Sequence, residues 1–182
     1  MKLRNLLNCN YPNDGTRTLF ESILIPEVEK AFKDWKKHAS DAKCVLIGGC
    51  ALGYYIKPRV TTDSDLLFIA ANDIPLFVET FKRTRPGAFM HKETNVEIEV
   101  LTPESINMPV EIAQAIYDHA KIEDGIRIAS PSGLVASKLS RFKLLDQADI
   151  QELYELGNID LSPYPLPQSW IEKYDNLIKM FK

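Results

Sequence analysis

The stretch Val45-Leu46-Ile47-Gly48-Gly49-Cys50-Ala51-Leu52, followed by Arg59-Val60-Thr61-Thr62-Asp63-Ser64-Asp65-Leu66-Leu67-Phe68, decides how this chain is read. Residues 44–47 are apolar and end at two glycines, which predicts a buried strand with a tight exit. A short helix over residues 50–56 follows and is stopped by Lys57-Pro58. Residues 66–70 predict a second buried strand, with Asp63 and Asp65 at its mouth. In extended backbone, residues two apart point to the same side, so both carboxylates meet at one spot. Two like charges there are unfavourable unless a cation neutralises them, and hard carboxylate oxygens suit Mg²⁺.

Downstream, Asn72 and Asp73 offer N-caps for a helix to about residue 82, with Pro75 in its first turn. Lys82-Arg83-Thr84-Arg85 would close that helix, where positive charge suits the dipole; the cluster could alternatively meet an RNA or a polyphosphate. Pro86-Gly87 marks a turn, residues 88–91 a strand, and Val96-Glu97-Ile98-Glu99-Val100-Leu101 a clearer one that alternates with period two. Its parity sends Glu97 and Glu99 to one face and Val96, Ile98 and Val100 to a core. Residues 111–119 predict a helix and residues 126–128 a last short strand. Helices then run from Pro131 to about residue 145 and over residues 146–156.

Upstream, Leu19, Phe20, Ile23, Leu24, Val28, Phe32 and Trp35 recur at helical spacing, with Pro26 kinking or splitting the helix. Pro163, Pro165 and Pro167 make a connector that is neither helix nor strand. Beyond it Trp170, Ile171, Tyr174, Leu177, Ile178 and Phe181 form one apolar stripe, so a C-terminal helix must dock. The pattern predicts an α+β fold, a small mixed sheet flanked by helices. Residues 1–40 would be a helical segment packed on a core of residues 41–130, and residues 131–182 a helical C-terminal part.

Composition bounds the function. The 182 residues carry 22 Lys plus Arg against 25 Asp plus Glu, a net charge of -3, and 45% hydrophobic residues. That is a globular composition with no global basic field, which excludes charge-driven, non-specific nucleic-acid binding while leaving room for a local patch. Cys9, Cys44 and Cys50 have no metal-ligand spacing, and Cys44 reads as a reduced, buried thiol. His38, His91 and His119 share no spacing with one another. No apolar run is long enough for a membrane span, and residues 1–10 lack a signal peptide's apolar region, so a soluble, cytoplasmic protein without a membrane partner is expected.

Taken singly, each carboxylate pair has an ordinary reading: Asp-x-Asp at a strand entrance solvates a turn, and alternating Glu is a water-facing strand side. Together, two strands each presenting such a pair match the needs of two-metal phosphoryl or nucleotidyl transfer. Gly48-Gly49 adds a third element, because glycines there let backbone N–H groups approach phosphate oxygens in front of a helix N-terminus.

This combination resembles the nucleotidyltransferase superfamily that shares the DNA polymerase β palm. In that family a strand runs into Gly-Gly or Gly-Ser, a short helix follows, then Arg-x-Thr-x-Asp-x-Asp, and a later strand brings a third carboxylate. The string here is similar to those of minimal nucleotidyltransferases and of abortive-infection nucleotidyltransferase toxins of toxin–antitoxin systems. Ile128 to Leu139, with Pro131, Leu134, Lys138 and Leu139, and then Asp146-Gln147-Ala148-Asp149-Ile150 extend the likeness over roughly residues 40–156. Two positions depart from the pattern: Gly49 stands where many members have serine, and the third acid is Glu instead of the commoner Asp.

The resemblance implies a transferase that moves a nucleoside monophosphate from an NTP to an acceptor: a tRNA, a protein or a small molecule. It implies catalytic, metal-binding roles for Asp63, Asp65 and Glu99 around Mg²⁺ or Mn²⁺, with Glu99 chosen because Glu99-Val100-Leu101-Thr102-Pro103 resembles the family's acid-apolar-apolar-Thr-Pro stretch. Nucleotide contacts would come from Gly48, Gly49, Arg59, Thr62 and Lys138. The rival expectation is a catalytically silent protein of this fold that binds nucleotide or a protein partner. A monomer or weak dimer is expected in either case.

Overall fold

A computed structural model describes residues 18–19, 25–38, 42–56, 61, 63–70 and 79–181. Among them seven strands and six α-helices form a mixed α+β fold. In chain order these are α1 (Pro26–His38), β1 (Cys44–Ile47), α2 (Gly48–Tyr55), β2 (Asp63–Phe68), β3 (Phe81–Arg85), β4 (Ala88–His91) and β5 (Glu97–Leu101). A 3₁₀ turn (Glu104–Ile106), α3 (Val110–Asp118), β6 (Lys121–Glu123), β7 (Ile126–Ile128), α4 (Pro131–Leu139), α5 (Leu144–Glu155) and α6 (Gln168–Lys179) complete the order.

One sheet contains all seven strands in the order β3-β4-β5-β2-β1-β7-β6. β2 runs antiparallel to β1 and parallel to β5, while β1 runs parallel to β7. The central strands are the apolar ones: Val45, Leu46, Leu66, Leu67 and Phe68 are fully buried. Each such side chain contributes about 1.5–3 kcal/mol when removed from water, so this centre anchors the fold.

Layers cover both faces. α1 lies on the face opposite the carboxylates, where its Asp34 carboxylate meets buried His91 Nε2 at 3.3 Å and Phe32 stacks on Trp35. α4 is held at its start by Ser130, whose Oγ accepts from Gly133 N at 3.1 Å and pairs with Tyr164 Oη at 2.9 Å. Pro131 at the first helical position suits that cap. α6 docks through Leu177 and Ile178, with Trp170 and Tyr174 packed alongside. Phe181, expected in the same stripe, is instead exposed.

Several boundaries differ from the sequence expectation. β2 begins at Asp63, so both aspartates belong to the strand instead of preceding it. The helix from Pro131 ends at Leu139, not near residue 145, because Phe142 takes a left-handed φ of 51°. A new helix starts at Leu144, capped by Asp146, which accepts from the Lys143 backbone N–H. A short strand, β6, was not expected at all. The basic cluster Lys82-Arg83-Thr84-Arg85 closes no helix; it is the edge strand β3, paired with β4 around the Pro86-Gly87 turn. Gly87 at φ +74° makes the tight hairpin affordable, and that pairing outweighs the helical propensity of the lysine and arginines. Of the helix expected from Asn72 to about residue 82, residues 72–78 lie outside the described residues, while residues 79–80 form a turn and residues 81–82 begin β3. Cys9 and most of the expected helix around Phe20 to Leu24 also lie outside the described residues.

Candidate active site

Two parallel neighbours, β2 and β5, build the site. Their register sets Asp63 beside Glu97 and Asp65 beside Glu99. Lateral partners in a sheet share a face, so four carboxylates form a two-by-two patch. The alternation of β5 explains its half: Val96, Ile98 and Val100 are buried, while Glu97 and Glu99 stay half-buried on the other side. On β2 the alternation is similar, with Ser64, Leu66 and Phe68 facing the opposite way from Asp63 and Asp65.

Gly48 lies directly against this patch. It has a φ of +66°, and a Cβ added there would stand 1.8 Å from Asp65 Oδ2. Only glycine therefore fits, for conformation and for space. Gly48 and Gly49 open α2, which places its first turn at the end of β1 beside Asp65.

The electrostatics are dominated by negative charge. Burial, then the charges of Asp63 and Glu99 and a hydrogen bond with Glu99, push the Asp65 carboxyl up to about 7, while Arg141 pulls the other way. Asp63 is exposed and accepts from Thr61 Oγ1 at 2.9 Å. Arg85 Nη2 donates to Glu97 Oε1 and to Glu99 Oε1, each at 2.7 Å, and Thr84 Oγ1 donates to Glu97 Oε2 at 3.1 Å.

A cleft opens between this sheet end and α4, with Gly48 and Asp65 on one wall and Ser137, Lys138, Ser140 and Arg141 on the other. Lys138, expected to neutralise phosphate, is only 4% exposed and is engaged by Asp149 at 2.5 Å and Asp146 at 3.9 Å. Its charge is already balanced inside the helical layer. Arg141, one turn further on and half exposed, is the more open of the two cations bordering the cleft, with its guanidinium held by Asp146 at 2.8 Å. Neither Arg141 nor Arg85 was singled out as a site residue from the sequence. Arg141 could have been found from the three-residue spacing after Lys138, which suits one side of a helix; Arg85 had no such signal. Arg59 and Thr62 lie outside the described residues.

A larger cleft of about 230 Å³ lies on the opposite face, lined by Trp35, Cys44, Leu46, Tyr117 and Arg127. None of the four carboxylates borders it, so size alone does not mark the site. Cys44 and Cys50 are buried, and Cys50 Sγ lies 3.5 Å from Ser64 Oγ.

For a divalent cation, the donor chemistry of the patch fits: hard carboxylate oxygens, with the Asp65 carboxyl pushed up to about 7 by burial and by its acidic neighbours. Among the described residues, no three His, Cys, Asp or Glu side chains are already arranged as a ligand set. Arg85 stands between two of the candidates. No helix among the described residues is long and apolar enough to cross a membrane. No family model matches the chain, and no curated protein matches it in sequence.

Proposed function

We propose that the protein is a metal-dependent nucleotidyltransferase that moves a nucleoside monophosphate from an NTP to an acceptor hydroxyl. The observation that carries this reading is the lateral pairing of Asp63 with Glu97 and Asp65 with Glu99 on parallel strands, with Gly48 packed against Asp65. In this reading Asp63, Asp65 and Glu99 would hold Mg²⁺ or Mn²⁺, which when bound lowers the pKa of the attacking hydroxyl and neutralises triphosphate charge. Gly48 and Gly49 start α2, whose first N–H groups would meet phosphate oxygens. Arg141 faces Asp65 across the cleft and, being more exposed than the neighbouring Lys138, takes the main phosphate-binding role. The acceptor oxygen bonds to the α-phosphorus, the α–β bridging bond breaks, pyrophosphate leaves, and the hydroxyl proton passes to solvent. The acceptor is a tRNA, a protein or a small molecule.

One observation favours a second reading, a silent protein of this fold that binds nucleotide or a partner. Glu99 is already neutralised by Arg85, and such a contact suits a site that no longer turns over. A single experiment separates the two. The protein is incubated with each α-³²P-labelled NTP, Mg²⁺, and either total RNA or cell lysate. Label in RNA or protein, lost in Asp63→Asn and Asp65→Asn, supports the transferase. NTP binding by calorimetry without any label transfer or pyrophosphate release supports the silent protein.

A further inference from the structure

β3 and β4 are not in simple register. Lys82 pairs with Met90 and Arg83 with Phe89, but the next pair is Arg85 with Ala88, so Thr84 is an extra residue. In a regular strand Thr84 and Arg85 would point to opposite faces. The bulge cancels that alternation: Thr84 and Arg85 both reach the carboxylate face, Thr84 to Glu97 and Arg85 to Glu97 and Glu99. Bulges beside functional sites commonly re-aim a side chain in this way.

What the bulge aims is specific. A single nitrogen, Arg85 Nη2, lies 2.7 Å from one oxygen of each glutamate. A nitrogen that bridges two carboxylates holds the place that a bridging cation would take, where Mg²⁺ ligand distances are about 2.0–2.1 Å. The two cannot both lie between the same pair of oxygens. Arg85 is half exposed, on the edge strand, with solvent to swing into.

We infer that Arg85 is a resident counter-cation of the carboxylate patch, which a divalent ion must displace from Glu99 in order to bind. This inference rests on the metal-binding reading of the patch given under Proposed function. It adds that the metal-free state is held by the protein's own guanidinium, so that metal affinity is set partly by the hairpin. Arg85 is thus a positioning residue for Glu97 and Glu99.

The test is calorimetric titration of the metal-free full chain with Mg²⁺, and separately with Mn²⁺. Four proteins are compared: the parent, Arg85→Gln, Arg85→Met and Lys82→Gln. Lys82 is an exposed cation on the same strand and face, with no bond to either glutamate in the structure. Loss of the competing ion pair should tighten metal binding in both Arg85 variants about threefold to tenfold, the scale of a half-exposed ion pair. The Lys82 variant should stay near the parent. Melting curves give a second readout: without metal the Arg85 variants melt below the parent, and Mg²⁺ raises them by more. Uptake of Mg²⁺ by the Arg85 variants but not by the parent would also support the inference, as complete occlusion. Equal or weaker binding in the Arg85 variants, or an equal gain in Lys82→Gln, would overturn it. If neither the parent nor any variant takes up metal, the metal-binding reading itself falls, and this inference with it.

Discussion

Asp65 and Glu99 are direct lateral partners on the parallel strands β2 and β5, hydrogen-bonded to each other. Two carboxyl groups at that spacing cannot both ionise freely, so at least one binds a proton or a cation near neutral pH.

A first prediction follows from that contact. Asp65→Asn should weaken Mg²⁺ binding at least about tenfold, since it removes an anionic ligand. In metal-free buffer at pH 8 it should raise the melting temperature, because the repulsion with Asp63 and Glu99 is gone. Calorimetry and differential scanning together check both; unaltered Mg²⁺ affinity would exclude Asp65 as a ligand.

The pH dependence has a definite sign. The Asp65 carboxyl titrates near 7 in the folded chain, above its ordinary value of 3.8, so the folded state binds this proton more tightly than the unfolded state. Its contribution to stability is fully present below pH 3.8 and is lost as pH rises through 7. Urea unfolding of metal-free protein at pH 5, 6, 7 and 8, minus the same series for Asp65→Asn, isolates that loss. Mg²⁺ uptake near pH 7 should release a proton, seen as a buffer-dependent heat.

Gly48→Ala should be costly at a residue that lies outside the apolar core. The left-handed φ of +66° costs a β-carbon about 1–2 kcal/mol, and the collision with Asp65 Oδ2 adds to it. Urea midpoints would show the destabilisation. Asp65 must shift to admit the methyl group, so Mg²⁺ affinity should fall as well; a fully stable variant would contradict the packing.

Lys138 and Arg141 should separate cleanly. Lys138→Ala leaves Asp149 buried without its cation and should destabilise the chain by about 3–5 kcal/mol. Arg141→Gln keeps the fold, because Asp146 still accepts from the Lys143 backbone N–H at 3.1 Å, but should lower NTP affinity. Unfolding curves and nucleotide calorimetry on the two variants check this. Intact nucleotide binding in Arg141→Gln would remove Arg141 from the phosphate role.

Deleting residues 162–182 should cause aggregation or a large drop in melting temperature. It strips Tyr164 from Ser130 and uncovers the surface beneath Leu177 and Ile178, each worth about 1.5–3 kcal/mol. A soluble, monomeric truncation with an unchanged melting curve would show α6 to be dispensable.

Much of this was legible in the chain itself. Periodicity alone assigns Glu97 and Glu99 to one side of a strand and Val96, Ile98 and Val100 to the other, because side-chain direction in a strand depends only on parity. Pro131 after Ser130, the apolar run at 44–47 and the stripe at Leu177 and Ile178 likewise announce their elements through local physics. Tertiary structure decided the rest. That β2 lies beside β5, bringing Asp65 against Glu99 across more than thirty residues, is a matter of sheet order, and no local pattern encodes it. Lys138 and Arg141 are both basic residues near the end of one helix and both border the cleft, and only packing against α5 buries the first and leaves the second half exposed. Lys82 to Arg85 reads locally as the basic end of a helix. It became a bulged edge strand because β4 offered it hydrogen bonds, and one extra residue in that ladder turned Arg85 onto the glutamates. Direction within an element follows from its own backbone geometry, whereas neighbours, burial and register follow from long-range contacts that exist only once the chain has folded.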